Sequence, residues 1–141
     1  MKQITIERTF NAPVEMIWEI WTEPEFIMRW FGGDPDGTVD RADVDLRRGG
    51  KYRITFHDCN GSEHTAFGEY LEVIEAKSLK YTWEWVSEPG HVSEVWVSFQ
   101  GMGDQSKIVL THLNFHPDSA HGYEGGWNNA IDKIVKLLLK V

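Results

Sequence analysis

The chain has 141 residues, 14 basic and 22 acidic, for a formal net charge of −8 at pH 7 with neutral histidines. That length suits one domain over 1–141 and a core that folds without metal or disulfide, and the single cysteine, Cys59, has no partner for an internal bridge. An acidic balance with Lys and Arg scattered among acids argues against nucleic acid and anionic membrane surfaces, and the chain shows neither a charged-then-apolar leader nor a spanning apolar run; the expected home is the cytoplasm, with no membrane insertion.

Lys2 to Phe10 alternates Ile4, Ile6 and Phe10 with polar residues, the period of a half-buried strand. Pro13 suits the first turn of a helix, and Val14, Ile17, Trp18 and Trp21 follow at helical spacing. Thr22-Glu23-Pro24-Glu25 reads as a capping box opening a second helix, with Phe26, Ile27 and Trp30 inward and Gly32-Gly33 ending it.

From Thr38 the period changes to two. Val44 and Leu46 alternate with Asp43 and Asp45, Arg47 to Gly50 turn the chain, and Tyr52, Ile54 and Phe56 continue on the next strand. Asn60-Gly61 is a strong turn signal leading into a strand from Thr65 to Glu75, whose Gly68 marks a bulge or a close backbone approach. Leu79, Tyr81, Trp83 and Trp85, then Val95, Val97 and Phe99, then Ile108, Leu110 and His112 complete a six-strand antiparallel meander. The last segment returns to a helical period, with Tyr123, Trp127, Ala130, Ile131, Ile134, Leu137, Leu138 and Val141 on one stripe. Gly125 and Gly126 beside Trp127 predict close approach of this helix to the sheet. The expected architecture is α+β: a curved antiparallel sheet of about seven strands wrapped around a long C-terminal helix, with a cavity between them.

Over nearly its whole length the chain resembles the single-domain relatives of the activator of heat-shock-protein-90 ATPase, within the superfamily of START-like lipid-transfer domains, pollen allergens and polyketide cyclases. The matching stretches are Arg8 to Pro13, Ile17-Trp18 with Trp21 to Pro24, Trp30-Phe31-Gly32, Val44 to Gly50, Gly68 to Tyr70, Leu79 to Trp83, Leu110 to His112 and Gly126-Trp127. The resemblance implies the helix-grip fold. It implies a pocket but no fixed chemistry, since such folds serve as ligand carriers, cyclases, stress proteins and chaperone regulators.

Seven Trp, seven Phe and four Tyr exceed what packing of a small domain demands. Trp30, Tyr52, Phe56, Tyr81, Trp83, Trp85 and Trp127 are placed to converge on the cavity, although each ring alone also fits ordinary core packing. His112 shares the parity of Ile108 and Leu110, so its imidazole is expected inward and neutral, either orienting a ligand or satisfied within the core. Arg8 faces inward too, toward a ligand carboxylate or an acidic partner.

Other motifs carry less. His57, Asp58, Cys59 and His64, and His112, His116 and His121, lack matched metal-ligand spacing, and Gly101 to Ser106 reads as a hairpin without the third glycine of a dinucleotide loop. Asp40, Asp43 and Asp45 read as a solvated acidic face protecting an edge strand. The reading is therefore binding of a small hydrophobic molecule between sheet and final helix, oriented by His112 or Tyr81, with no metal and no cofactor. Its alternatives are a chaperone-interacting module and a cyclase- or hydrolase-like enzyme using His112 as acid or base.

Overall fold

The structure is a computed structural model and describes residues 2–139. Its elements run β1 (Lys2–Phe10), α1 (Val14–Thr22), α2 (Pro24–Trp30), β2 (Thr38–Val44), β3 (Lys51–His57), β4 (Glu63–Ile74), β5 (Ser78–Trp85), β6 (Ser93–Met102), β7 (Gln105–Phe115) and α3 (Tyr123–Leu138). Every strand pairs antiparallel with its neighbours in the order β1-β7-β6-β5-β4-β3-β2. The meander from β2 to β7 thus follows the chain, and β1 pairs with β7 at the edge opposite β2. This is the helix-grip α+β fold. The Val141 end of the expected helical stripe lies outside the described residues.

Strict alternation explains the core. In β5 the buried positions are Leu79, Tyr81, Trp83 and Trp85, and in β6 Ser93, Val95, Val97 and Phe99. These side chains share one face of the sheet because successive Cβ atoms point to opposite sides. The helices cover that face: α1 contributes Ile17, Trp18, Ile20 and Trp21, and α3 contributes Trp127, Ala130, Ile131 and Ile134, all buried. At the β1 edge Arg8 meets α3, donating to Asp132 at 2.9 Å and to Asn128 at 3.2 Å, so its partner is an acid of this chain.

Two local expectations are corrected, and at Gly68 the structure chooses between the two alternatives. The capping box does not form: Thr22 ends α1 and its hydroxyl donates to the Trp18 carbonyl at 2.7 Å. Pro24 takes the first helical position of α2, which pushes Glu23 into extended backbone (φ −81°, ψ 126°) and makes it the cap residue instead. At Gly68 the reason for glycine is a close approach, because a Cβ there would lie 2.1 Å from the Thr82 carbonyl oxygen, whereas the register shift between β4 and β5 sits further on, between Tyr70 and Glu72. The second correction concerns α3. Gly126 meets the loop after α2, not the sheet: a Cβ on Gly33 would stand 2.9 Å from Gly126 Cα, whereas a Cβ added at Gly125 would meet nothing within 4 Å. Asn129 donates to the Gly33 carbonyl at 2.9 Å and fixes that contact.

Candidate functional site

A cleft of 660 Å³ opens between the sheet and the first turns of α3. Its wall is made by Trp30, Phe31, Phe56, Trp83, Trp85 and Trp127, none more than 7% exposed. The rings are locked against one another. Phe31 stacks on Trp83 with centroids 5.5 Å apart, Trp83 meets Trp127 at 5.5 Å, and Trp85 packs edge-on against Trp83 at 5.2 Å. Indole N–H groups add fixed points: Trp30 donates to the Ile20 carbonyl at 2.8 Å, and Trp85 donates to the Tyr123 hydroxyl at 3.0 Å. Such rings lose little freedom on meeting a ligand, as a pre-formed apolar site requires.

The rim is polar. From the loop after α2 comes Asp34, from the β3–β4 turn Asp58, Cys59 and Asn60, from β4 His64, and from the β7–α3 loop His121. Asp34 accepts the Cys59 N–H at 2.7 Å and the Asp36 N–H at 2.9 Å, and these bonds hold its carboxyl below the usual value, so it is charged at neutral pH. The same carboxylate raises the Cys59 thiol by hydrogen bonding and charge, which keeps it a poor nucleophile. His64 bonds Asp58 through Nε2 at 2.7 Å. His121 stacks flat on Trp85 at 3.8 Å, and burial pushes its pKa down. Glu88 ties the β5–β6 turn to the β7–α3 loop, accepting from the Ser119 hydroxyl at 2.8 Å and the Ala120 N–H at 2.9 Å. Burial is the largest influence on Glu88 and raises it, but those bonds together with the nearby His121 and His91 outweigh burial and hold the carboxyl below its usual value.

The structure separates the eight side chains singled out from the sequence. Trp30, Phe56, Trp83, Trp85 and Trp127 line the cleft. Tyr52 and Tyr81 do not: they lie at the other end of the same face, against Trp21, Ile27 and Tyr70, where only 20 Å³ remains. The tyrosines share strand parity with Phe56 and Trp85, but α1 and α2 cover their end of the strands. The Tyr52 hydroxyl reaches across β4 above Gly68 to donate to the Thr82 carbonyl at 2.6 Å. Tyr81 is buried, and desolvation raises its pKa beyond the tyrosine range, so it stays a neutral phenol.

His112 is inward and fully buried, but behind the wall. Trp127 Nε1–H donates to its Nδ1 at 3.0 Å; an indole nitrogen can only donate, so Nδ1 carries no proton. Its proton sits on Nε2, which donates to Ser93 Oγ at 2.8 Å, and Ser93 in turn donates to the Trp83 carbonyl at 3.3 Å. Burial pushes the imidazole pKa down to about 3. The relay joins α3, β7, β6 and β5 and uses both ring nitrogens, leaving none for a substrate. The acid or base role for His112 therefore falls away, as does its direct contact with a ligand.

Several cleft residues were not placed at the cleft by the sequence reading, which weighed Asp58, His64 and His121 only as metal ligands. Phe31 stood beside Trp30 in the Trp-Phe-Gly stretch, and His64 shares the face of Ala66 and Tyr70, so both carried a parity or motif signal. His121, Asp34 and Asp58 reach the rim from loops, where no period exists to place them. Among the described residues no group of three His, Cys, Asp or Glu side chains is set to hold a metal, and no helix is long and apolar enough to cross a membrane.

A family model described as "Activator of Hsp90 ATPase homolog 1-like protein" matches residues 11–139. Among solved structures the chain is similar to a protein from Nitrosomonas europaea (24% identity, 98% of this chain and 94% of that one, TM-score 0.83). It is also similar to the AHSA1 protein from Silicibacter pomeroyi (21%, 99% and 100%, TM-score 0.85). A third likeness is to CalU16 from Micromonospora echinospora (27%, 94% and 73%, TM-score 0.69). No curated protein matches.

Proposed function

Because the chain belongs to the family of activator-of-Hsp90-ATPase-homolog-1-like proteins, whose fold in general supports a ligand-binding module, we propose that it binds a small hydrophobic molecule in the cleft beside α3. The observation that carries this reading is the 660 Å³ of space walled by six buried aromatic side chains and entered past a polar rim. That size lies in the ordinary range for small-molecule sites. Lipid-, flavonoid- or polyketide-sized molecules suit it, with the body against the rings and a polar end at Asp58, His64 or Tyr123. A cytoplasmic setting without nucleic-acid partners belongs to the same proposal, consistent with a net charge of −8.

The test is native mass spectrometry of the protein as expressed, followed by tryptophan emission titrations with an apolar library. A co-purified molecule, or a saturable emission change that persists at high salt, is the expected result, since apolar burial is not screened. A second reading, a chaperone-contacting module, is favoured by the family's description and by Trp96, which stands 40% exposed on the outer face of the sheet. If the library gives no saturable change while a purified chaperone binds in a salt-sensitive way and Trp96→Ala abolishes it, the second reading replaces the first.

A further inference from the structure

The charges around the cleft are one-sided. Its rim carries two carboxylates, Asp34 and Asp58, and no Lys or Arg is among the described residues that line it. Lys133, whose charge acts on both acids, spends its Nζ on the Asp34 backbone carbonyl at 2.9 Å and stands outside the lining. The two imidazoles of the lining are already engaged within the chain. His121 lies stacked against Trp85 and is held toward neutrality by burial, and His64 is bonded to Asp58 itself.

Each carboxylate keeps lone pairs free after its bonds within the chain. Asp34 accepts two backbone N–H groups and the Cys59 thiol, and Asp58 accepts one imidazole N–H, while a carboxylate has about four lone-pair sites. A ligand seated on the indoles would therefore present its outer end to acceptors with negative charge. An anionic end would find no cation in the lining, would face repulsion from both acids, and would lose its water without compensation. A cationic end would gain on each count.

Resting on the ligand-binding reading above, we infer that the cleft selects organic cations: an apolar, ring-containing body against Trp83, Trp85 and Phe56, with a protonated amine at Asp34 and Asp58. The class is an amphipathic amine, as opposed to a fatty acid, a phosphate ester or a neutral sterol.

The experiment uses matched triads of amine, alcohol and carboxylate built on naphthyl, biphenyl and steroid bodies, titrated calorimetrically into the intact protein at about pH 8, above the range where imidazoles ordinarily charge. The amine is expected to bind about tenfold tighter than the alcohol of the same body, and the carboxylate weaker than both. Raising salt from about 20 mM to about 0.5 M should shrink the amine's advantage several-fold and leave the alcohol unchanged. Asp58→Asn keeps the shape and an acceptor for His64, and should cut the amine's advantage over the alcohol of the same body about threefold. Asp34→Asn is the second variant, checked for unchanged thermal unfolding because Asp34 also braces the Cys59 turn. Alcohol and carboxylate binding as tightly as the amine would overturn the inference while leaving the ligand reading intact. Failure of every triad on every body would remove the ligand reading, and the cation preference with it.

Discussion

The helix-bearing face of the sheet has two ends built from the same kind of side chain, and only one is open. One strand passes through both: Leu79 and Tyr81 of β5 sit at an end with 20 Å³ left, whereas Trp83 and Trp85, two and four residues on, border 660 Å³. At the closed end Trp21 and Ile27 descend from α1 and α2 onto three tyrosines, whose rings pack within 5.3 to 5.9 Å of one another. At the open end the cover is the start of α3, which offers Gly125 and Gly126 to the cleft where a larger residue would fill it. A run of inward aromatics thus specifies a buried face, and the residue opposite decides whether that face becomes core or pocket.

The largest expected effect comes from the one side chain that belongs to both cleft and core. Trp127→Ala should destabilise by about 3 to 5 kcal/mol in urea unfolding, because it leaves a cavity and strips His112 Nδ1 of its donor. A loss below about 1 kcal/mol would mean that α3 is not anchored through this indole.

Next comes the relay behind the open end. With a folded pKa of about 3 against an ordinary 6.5, His112 is protonated more readily in the unfolded chain than in the folded one. Its contribution is fully present above pH 6.5 and is lost as pH falls toward 3, at about 1.4 kcal/mol per unit. Between pH 6.5 and about 4.5 the protein should lose about 2 to 3 kcal/mol more than the His112→Gln variant does, the carboxylates being common to both. Parallel stability curves for the two would dismiss the buried neutral imidazole.

Gly33→Ala sharpens the comparison where α3 meets the loop after α2. The added methyl would stand 2.9 Å from Gly126 Cα, backbone against backbone, so about 1 to 3 kcal/mol is expected together with altered cleft binding. Tyr52→Phe probes the closed end instead. It removes the hydrogen bond to the Thr82 carbonyl and should cost about 1 kcal/mol without changing the affinity of any cleft ligand. If Tyr52→Phe moved ligand affinity and Gly33→Ala did not, the assignment of open and closed ends would be reversed.

Much of this was legible before any coordinates. The alternation of Tyr81, Trp83 and Trp85, of Val95, Val97 and Phe99, and of Ile108, Leu110 and His112 gives the strands and their inward face, because strand period is a local property of the backbone. The stripe from Trp127 to Ile134 likewise gives α3 and its buried side. The neutral, inward histidine could be read from parity alone. Parity, however, repeats identically along a strand and has no sense of which end a helix covers, so Tyr52 and Tyr81 could not be told from Phe56 and Trp85. The capping-box reading failed for a local reason, since Thr22 and Pro24 competed for the helix boundary and proline's fixed φ prevailed.

What the sequence by itself determined is the order of elements and the face each one buries, which follow from short-range periodicity, together with a resemblance to a family carried by stretches such as Trp30 to Gly32 and Val44 to Gly50. Only the tertiary structure decided where space remains. The Trp127–His112–Ser93–Trp83 relay joins residues brought together from four elements, the Trp85–His121 stack joins a strand to a loop, and Asp34 and Asp58 meet at one rim from two separate turns. Each juxtaposition depends on packing between segments far apart in the chain, and a pocket is what that packing leaves unfilled.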